Sequence, residues 1–403
     1  MGVSLRLWRA TAAAALIAVL AVPLLAQQRF PSRFGVGLVA APGVDLPGPV
    51  DSNSPAVWSL DGAELQVFTS WGGAVQQASG TTFTRLGTPT PISWYNEPLG
   101  GSWMETVVRE QDVLYGYYHN EVLSPTCEND GRVRPRIGAA RSTDQGQTWE
   151  DLGVILESPE LSLCDTTNVY NDGGVGDFSV MLDAGRNYLY VFYSSYSPSL
   201  GGQGVSVARM LWADRDQPAG ALAVWQSNLW LPGRSTPTPD GASLSWVYPV
   251  GTPIYPAARS WHSADGVVDA FWGPSIHWNT YLREYVMLLN HANSVAFDQE
   301  GIYVAFGSAL DRPAGWSSPV RVMTGGAWYP QVFGLRSGSG TDKEAGQDAR
   351  FYVGGHSEAV MRFTRPERSP CGLGLLPCFP PRLGPLGVES NGVRPRTRPD
   401  QRP

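Results

Sequence analysis

Charged residues are scarce in this 403-residue chain, since Asp, Glu, Lys and Arg together make up only 16% of it. The formal net charge is -7, and the basic residues are dispersed apart from those near the C-terminus. A nucleic-acid-binding surface needs clustered lysine and arginine. The composition therefore argues against nucleic acid as a partner.

Long apolar runs are missing beyond the N-terminus, where residues 1–26 are typical of a secretory signal peptide. Arg6 and Arg9 form its basic region, residues 11–22 form a short apolar run, and Ala26 offers a small residue for cleavage. The run is short for a transmembrane helix, although an uncleaved anchor is the alternative. We expect a secreted or periplasmic protein with no stable membrane insertion after signal cleavage.

Cysteines number only four. Cys127 and Cys164 could close a loop, whereas Cys371 and Cys378 lie together near the C-terminus, and an exported protein can form disulfides. Neither pair has partners at the spacing of a zinc site. The sequence also lacks a nucleophile elbow, a P-loop, a His-Glu-x-x-His motif and an EF-hand loop. We therefore expect no metal and no cofactor, and a calcium ion in the channel, for which no run of ligands is present, is the alternative.

Aromatic residues and glycine are abundant, with 15 Trp, 16 Tyr and 46 Gly. This composition is typical of an all-β protein with aromatic-rich turns, and an aromatic-lined sugar site would add to it. Alternating apolar runs on either side of a polar turn, the signal of a β-hairpin, occur five times. They cover residues 54–68, 105–117, 177–192, 274–288, and 328–335 resuming at 349–353.

A lone hairpin cannot bury its apolar face, so repeated hairpins must share one core. The long spacing between copies favours four-stranded propeller blades, and we predict a single-domain five-bladed β-propeller over residues 27–365. Residues 27–49 can supply a strand that closes the ring. The Pro- and Arg-rich tail, residues 366–403, is predicted to be disordered. The alternative fold is a β-sandwich with similar hairpins.

Three carboxylates lie at or just before the first strands of separate blades. In a propeller these strands line the channel and open onto one face, so Asp51, Glu105 and Asp177 are predicted to converge there. Glycoside hydrolysis needs two carboxyl groups with separated pKa values. Asp177 is the strongest candidate because a glycine-rich stretch precedes it, and glycine there indicates close backbone approach. The alternative for each residue alone is turn capping or a salt bridge.

Other polar and aromatic residues near the same strand starts are candidates for the site. His277, which follows a Trp-Gly-Pro-Ser stretch, could act as a catalytic acid. Alternation along its strand groups it with Ser275 and Asn279 on a polar face that is expected to line the channel. Histidines can equally be structural, a glutamate can be a turn residue, and some tryptophans will pack in the core. The predicted substrate-binding residues are His119, Glu121, Trp103, Trp272, Trp278, Glu300 and Trp328.

Residues 142–149 match the pattern Ser-x-Asp-x-Gly-x-x-Trp in full, which resembles the Asp box of sialidases and other propellers. The pattern predicts a structural turn in which Asp144 accepts backbone N–H groups, Gly146 supplies an unusual φ and Trp149 packs between strands. Residues 134–137 are not the Arg-Ile-Pro motif of sialidases, and five blades are predicted where sialidases have six. Sialidase activity is therefore not expected.

Residues 51–365 also resemble the five-bladed furanosidase-like superfamily, which includes the family 43 glycoside hydrolases. Residues 177–183 are similar to the segment that carries its second acid, and residues 51–55 to the segment that carries the base. Trp272-Gly-Pro274 looks like the Glu-Gly-Pro segment of the general acid, with Trp in place of Glu. The resemblance thus leaves Glu105, Glu121 or His277 as the acid. The pattern is also similar to propellers grouped with bacterial endo-D-arabinanases.

The resemblance implies a hydrolase of an extracellular or cell-wall polysaccharide, with arabinan-like polymers among the candidates. A carbohydrate is thus the expected partner, and a monomer is expected. One alternative is a non-catalytic carbohydrate-binding propeller. The other is a protein-interaction propeller, whose channel mouth would be apolar rather than acidic.

Overall fold

The alternating strands form five mainly antiparallel sheets arranged as a five-bladed β-propeller, so the predicted fold class is confirmed. A computed structural model describes residues 32–124, 127, 131–237 and 244–366. These residues contain 26 β-strands, three short 3₁₀ turns and no α-helix. No helix among them is long and apolar enough to cross a membrane.

The first strand is β1 (Gly35–Asp45), and the first two blades follow it. Blade one contains β2 (Ala56–Trp58), β3 (Leu65–Trp71), β4 (Ala74–Gly80) and β5 (Thr90–Pro91). Blade two contains β6 (Ser93–Trp94), β7 (Gly101–Glu110), β8 (Val113–Leu123), β9 (Val133–Ser142) and β10 (Thr148–Leu156). Strand β6 is parallel to β10 at the outer edge.

The third blade has further strands and a separate hairpin beside its sheet. Its strands are β11 (Val175–Leu182), β12 (Tyr188–Ser195), β13 (Gly204–Leu211), β14 (Ala223–Gln226) and β15 (Leu229–Pro232). The hairpin and a short strand that pairs with β13 are β16 (Arg234–Pro237), β17 (Leu244–Val247) and β18 (Tyr255–Pro256).

The last two blades complete the ring. Blade four contains β19 (Val267–Asn279), β20 (Glu284–Ser294), β21 (Gln299–Gly307) and β22 (Val320–Thr324). Blade five contains β23 (Pro330–Gly334), β25 (Asp348–Val353) and β26 (His356–Thr364), and the intervening β24 (Glu344–Ala345) pairs with β19. The five predicted hairpins correspond to β2–β3, β7–β8, β11–β12, β19–β20 and β23–β25, with the predicted polar insertion in the last.

The ring is closed where the N-terminal strand β1 joins the sheet of the C-terminal blade. Strand β1 pairs antiparallel with β26, in a register that sets Gly35 opposite Thr364 and Asp45 opposite His356. The N-terminal segment thus supplies the outer strand of the C-terminal blade, as the sequence predicted. This pairing covers the outer edge of β26, which would otherwise be open to pairing with another chain.

The core is divided among the five interfaces between neighbouring blades. At each interface, the apolar face of one sheet packs against the next and so leaves water. Residue pairs that share a cluster, one for each interface, are Phe68 and Trp149, Ile137 and Val191, Phe192 and Met287, Val286 and Phe351, and Val67 and Tyr352. This division explains why no single hairpin is stable alone.

The turn at residues 142–149 fastens blade two to blade one. Asp144 Oδ1 accepts hydrogen bonds from the backbone N–H groups of Gln147 (3.1 Å) and Thr148 (2.8 Å). Gly146 has φ +87°, a conformation that favours glycine. The buried Trp149 donates its indole N–H to the Gly146 carbonyl (2.8 Å) and packs its ring against Phe68 at 5.7 Å. The turn is therefore structural and lies away from the channel.

A disulfide joins Cys127 to Cys164 and closes the loop that leads to blade three. Arg132 reinforces this loop by donating to the carbonyl groups of Cys164, Thr166 and Asn168. The predicted signal peptide, the tail beyond Pro366 and the second cysteine pair all lie outside the described residues. Their boundaries and pairing stay predictions.

Candidate active site

A cavity of about 150 Å³ lies where the inner strands of the blades begin. Eight of the eleven residues proposed from the sequence line it, from four separate blades and the segment before blade one. They are Asp51, Trp103, Glu105, His119, Glu121, Asp177, Trp272 and Trp328. The structure therefore brings the three predicted carboxylates, Asp51, Glu105 and Asp177, together in one cavity.

Asp177 occupies a strained position at the centre of the cavity. It lies at a bulge in β11, between Gly176 and Phe178, with φ +40°. Such backbone strain tends to occur at functional sites. Its Oδ2 accepts a hydrogen bond from the Tyr196 hydroxyl and its Oδ1 one from the Tyr329 hydroxyl (3.1 Å). The carboxylate is thus fixed from two directions.

The glycines before Asp177 allow the close approach that the sequence suggested. A Cβ at Gly174 would lie 2.5 Å from the Pro135 carbonyl oxygen, and one at Gly176 would lie 2.4 Å from the His119 ring. Real side chains do not tolerate such distances. Glycine at these positions therefore lets β11 reach the cavity beside β8 and β9.

Glu105 lies in the floor of the cavity and is only 1% exposed. It sits at a bulge in β7, between Met104 and Thr106, and its Oε2 accepts the backbone N–H of Asn53 (3.1 Å). Burial first, and then the negative charge of Asp177, raise the pKa of Glu105 to about 8. Glu105 therefore carries a proton at neutral pH.

Asp51 is held in the segment that precedes blade one, where its backbone N–H donates to the Ser70 carbonyl at 2.8 Å. Burial, together with the charges of Asp177 and Glu121, raises the pKa of Asp51 to about 6. Asp51 is therefore mostly ionised at neutral pH. Two carboxyl groups in one cavity thus differ in protonation state because their environments differ.

His119 connects Asp177 to Glu121. Its Nδ1 accepts the backbone N–H of Asp177 (2.9 Å), and its Nε2 lies 3.2 Å from Glu121 Oε1. Burial disfavours a charged His119 ring, whereas the hydrogen bond to Glu121 and the charge of Asp177 act in the opposite direction and raise its pKa. The backbone N–H of Asp177 acts against protonation of His119, because a proton on Nδ1 would point directly at that N–H. We assign the neutral ring, which donates from Nε2 to Glu121.

Glu105, His119 and Asp177 are also the described residues that could hold a metal ion. Each offers one ligand atom, and these atoms lie within 4.8 Å of one another. Both nitrogens of His119 already have partners, and Glu105 is protonated at neutral pH. A metal would have to displace these contacts and that proton, so we derive no catalytic step from one.

His277 lies outside the cavity, and the expectation that it joins the site is corrected. It is 1% exposed, and its ring packs 5.7 Å from that of Phe363, in the interior between blades four and five. The alternation that groups His277 with Ser275 and Asn279 is kept in β19, but this part of the strand packs towards blade five rather than opening into the cavity. Burial, and then the positive charge of Lys343, lower the pKa of His277 to about 3.

The buried neutral His277 predicts a specific pH dependence of stability. An unfolded chain binds a proton at this residue below a pKa of about 6.5, whereas the folded protein does so only near pH 3. Stability is therefore expected to fall as pH decreases from 6.5 towards 3. Urea unfolding at pH 7 and pH 5 measures this loss, and it should be smaller in His277→Gln. An equal loss in the variant would show that other groups cause it.

Trp278 and Glu300 also lie away from the cavity, contrary to expectation. Trp278 packs its ring 4.9 Å from that of Tyr285, against the core between blades three and four. Glu300 accepts hydrogen bonds from the Tyr303 hydroxyl (2.6 Å) and from Arg321 on the outer strands of blade four. Both are explained by local structure, which was the alternative interpretation.

Six residues line the cavity that the sequence did not single out: Pro135, Tyr170, Asn171, Tyr196, Phe297 and Tyr329. Tyr329 had a usable signal, since it follows Trp328 directly at the start of the fifth inner strand. Tyr196 directly follows the second strand of blade three, and nothing in its local sequence indicates that it reaches Asp177. Both tyrosines hold protonated hydroxyls, because burial and the charge of Asp177 raise their pKa well above the ordinary value.

The fold and this cavity define a five-bladed β-propeller with a buried carboxylate cluster and aromatic walls. No family model matches the sequence, and no curated protein matches it. The structure is similar to an endo-arabinase from Bacteroides thetaiotaomicron (TM-score 0.46, 8% identity, 80% of this chain and 96% of that one).

Two further solved structures illustrate the same likeness. An exo-1,5-α-L-arabinanase from a bovine ruminal metagenomic library has a TM-score of 0.42 and 13% identity over 80% of this chain and 93% of its own. A family 43 endo-arabinanase from Bacillus licheniformis has a TM-score of 0.43 and 14% identity over 79% and 96%. At these identities the likeness is one of fold, and it assigns no activity to this chain.

Proposed function

We propose that this protein is a secreted glycoside hydrolase that cleaves an extracellular or cell-wall polysaccharide. The observation that carries the proposal is the pair of carboxyl groups beside Asp177. Asp51, with a pKa near 6, and Glu105, with a pKa near 8, share one aromatic-walled cavity. At neutral pH this pair supplies one base and one acid, as glycosidic cleavage requires.

In the proposed mechanism, Glu105 donates its proton to the leaving glycosidic oxygen as the C–O bond breaks. Asp51 provides the second function of the pair. It either removes a proton from the attacking water or attacks the sugar carbon itself. The net reaction adds one water across the bond. Glu105 thereby fills the role of general acid that Trp272 cannot perform.

Asp177 has a supporting electrostatic role in this mechanism. Its fixed negative charge stabilises the positive charge that develops on the sugar in an oxocarbenium-like transition state. After burial, the same charge is the next largest cause that raises the pKa of Glu105 and of Asp51. Tyr196 and Tyr329 hold it in position through their hydroxyls.

A carbohydrate-binding propeller without catalysis is the second candidate. The observation in its favour is the burial of Glu105. This residue is only 1% exposed, and it would have to reach a substrate oxygen to act as the acid. The acidic cavity disfavours a protein-interaction propeller, whose channel mouth would be apolar. The hydrolase and the carbohydrate-binding propeller would both bind a carbohydrate, and only the hydrolase would cleave it.

The deciding experiment is sugar release by the full secreted protein from arabinan, xylan, galactan and β-glucan. Arabinan comes first because of the family resemblance in residues 51–55 and 177–183. We expect reducing ends to appear from at least one of these polymers. Binding to a polymer without any release would overturn the hydrolase and leave the carbohydrate-binding propeller.

A further inference from the structure

The cavity is too small to recognise a polymer by itself. Its volume is about 150 Å³, whereas pockets that enclose a drug-sized ligand measure roughly 300–1,000 Å³. It has room for roughly a single sugar ring. The neighbouring units of a polysaccharide must therefore lie on the surface around the mouth.

Trp71 lies on that surface, close to Asp51. Strand β3 ends at Trp71, and the preceding residue, Ser70, accepts the backbone N–H of Asp51 through its carbonyl at 2.8 Å. The indole of Trp71 is 48% exposed, although burying an aromatic ring of this size is favourable. Its exposure beside a candidate catalytic residue indicates a ligand-facing position.

A continuous surface connects Trp71 to the cavity wall. The turn after Trp71 brings Gly73 so close to Gly101 that a Cβ at Gly73 would lie 2.8 Å from the Gly101 Cα. The Gly73 carbonyl also accepts the Ser102 N–H at 3.0 Å. The ring of Trp103, which lines the cavity, lies over Gly101, because a Cβ built at Gly101 would be 2.7 Å from that ring.

Tyr170 approaches Asp51 from another part of the chain, the loop before blade three. Its ring packs edge-on against Phe297 (5.5 Å) and Trp328 (5.8 Å) and yet remains 47% exposed. Tyr170 and Asp51 line the same cavity, so the ring lies at the mouth on the side of this carboxylate. Asp51 therefore has an exposed aromatic neighbour from blade one and another from this loop.

We propose that Trp71 and Tyr170 are stacking platforms for the sugar units that flank the one in the cavity. The protein then binds an internal stretch of a polysaccharide rather than only its terminal sugar. Exposed aromatic rings suit this task because their faces are apolar and stay rigid on binding. This inference rests on the proposed function for its ligand class but does not need catalysis.

Affinity electrophoresis tests the platforms separately from turnover. The full-length Asp177→Asn variant, used so that polymer degradation is slowed, is run through gels that contain arabinan, xylan, galactan or β-glucan. We expect retardation by at least one polymer, and adding Trp71→Ala or Tyr170→Ala should weaken that affinity about tenfold, the scale of one lost aromatic contact. Tyr95→Ala is the matched control, since Tyr95 is 83% exposed but lies by the outer edge of blade two.

Each outcome decides the inference. Equal retardation with and without Trp71→Ala, or no retardation by any polymer, would overturn the platforms. Weakened binding in Trp71→Ala but not in Tyr95→Ala would establish the platform at Trp71. Failure of the hydrolase proposal would appear elsewhere, as no sugar release by the unmodified protein despite polymer binding. Thermal unfolding of each variant checks that the fold is kept.

Discussion

Asp177→Asn is expected to lower kcat by about 10²- to 10³-fold, the usual loss when one group that stabilises charge in the transition state is removed. Asparagine has nearly the same shape, and its oxygen can still accept a tyrosine hydroxyl. The variant therefore loses mainly the negative charge between Asp51 and Glu105. Because that charge acts most strongly on the developing positive charge, kcat should fall more than KM rises. Steady-state kinetics on a cleaved polysaccharide measures both.

Asp348→Asn is the matched control for this substitution. Asp348 forms an exposed ion pair with Arg362 (2.8 and 3.0 Å) on the outer strands of blade five, and surface pairs of this kind contribute little. Its activity should equal that of the unmodified protein. Full activity in Asp177→Asn, with the same thermal unfolding, would remove Asp177 from the mechanism.

The second large effect is a bell-shaped pH dependence of kcat/KM. Asp51 must be ionised, so the rate should rise as pH increases through about 6. Glu105 must be protonated, so the rate should fall as pH increases through about 8. The optimum is then expected between these values, near neutral pH. Initial rates at low substrate concentration from pH 4 to pH 10 report this profile.

Variants assign the two limbs of the profile to residues. Glu105→Gln cannot donate a proton, and it should lose most of its activity and the fall at high pH. Any residual activity of Asp177→Asn should show both limbs moved to lower pH, because the charge that raises both pKa values is gone. A fall at high pH that persists in Glu105→Gln would assign the acid to another group.

The five hairpins could be predicted from sequence because each depends on a local signal. Alternation of apolar residues around a polar turn is visible within about 15 residues. The glycines before Asp177 are likewise a local signal. Gly174 lies against Pro135 and Gly176 against His119, at distances that leave no room for a side chain. Local patterns thus indicated both the blades and the most central carboxylate.

The misassigned residues depended on features that a periodic pattern does not carry. Alternation groups His277 with Ser275 and Asn279, but it does not indicate that this part of β19 packs against blade five rather than facing the cavity. Bulges occur at Glu105 and Asp177, where they set the direction of each carboxylate. Tyr196 and Tyr329 meet at Asp177 from different blades, and such contacts follow from the closed ring rather than from their neighbours in sequence.

The closure of the ring by β1 and β26 has a consequence for the order of folding. Gly35 cannot find its partner Thr364 until almost the entire described chain has been synthesised. The N-terminal strand must therefore wait unpaired while the blades between them assemble, and contacts of such long sequence separation form slowly. Until then β26 presents an open edge. We therefore expect the pairing of β1 with β26 to be among the last steps of folding, and the cavity that gathers carboxylates from several blades to be completed when the ring closes.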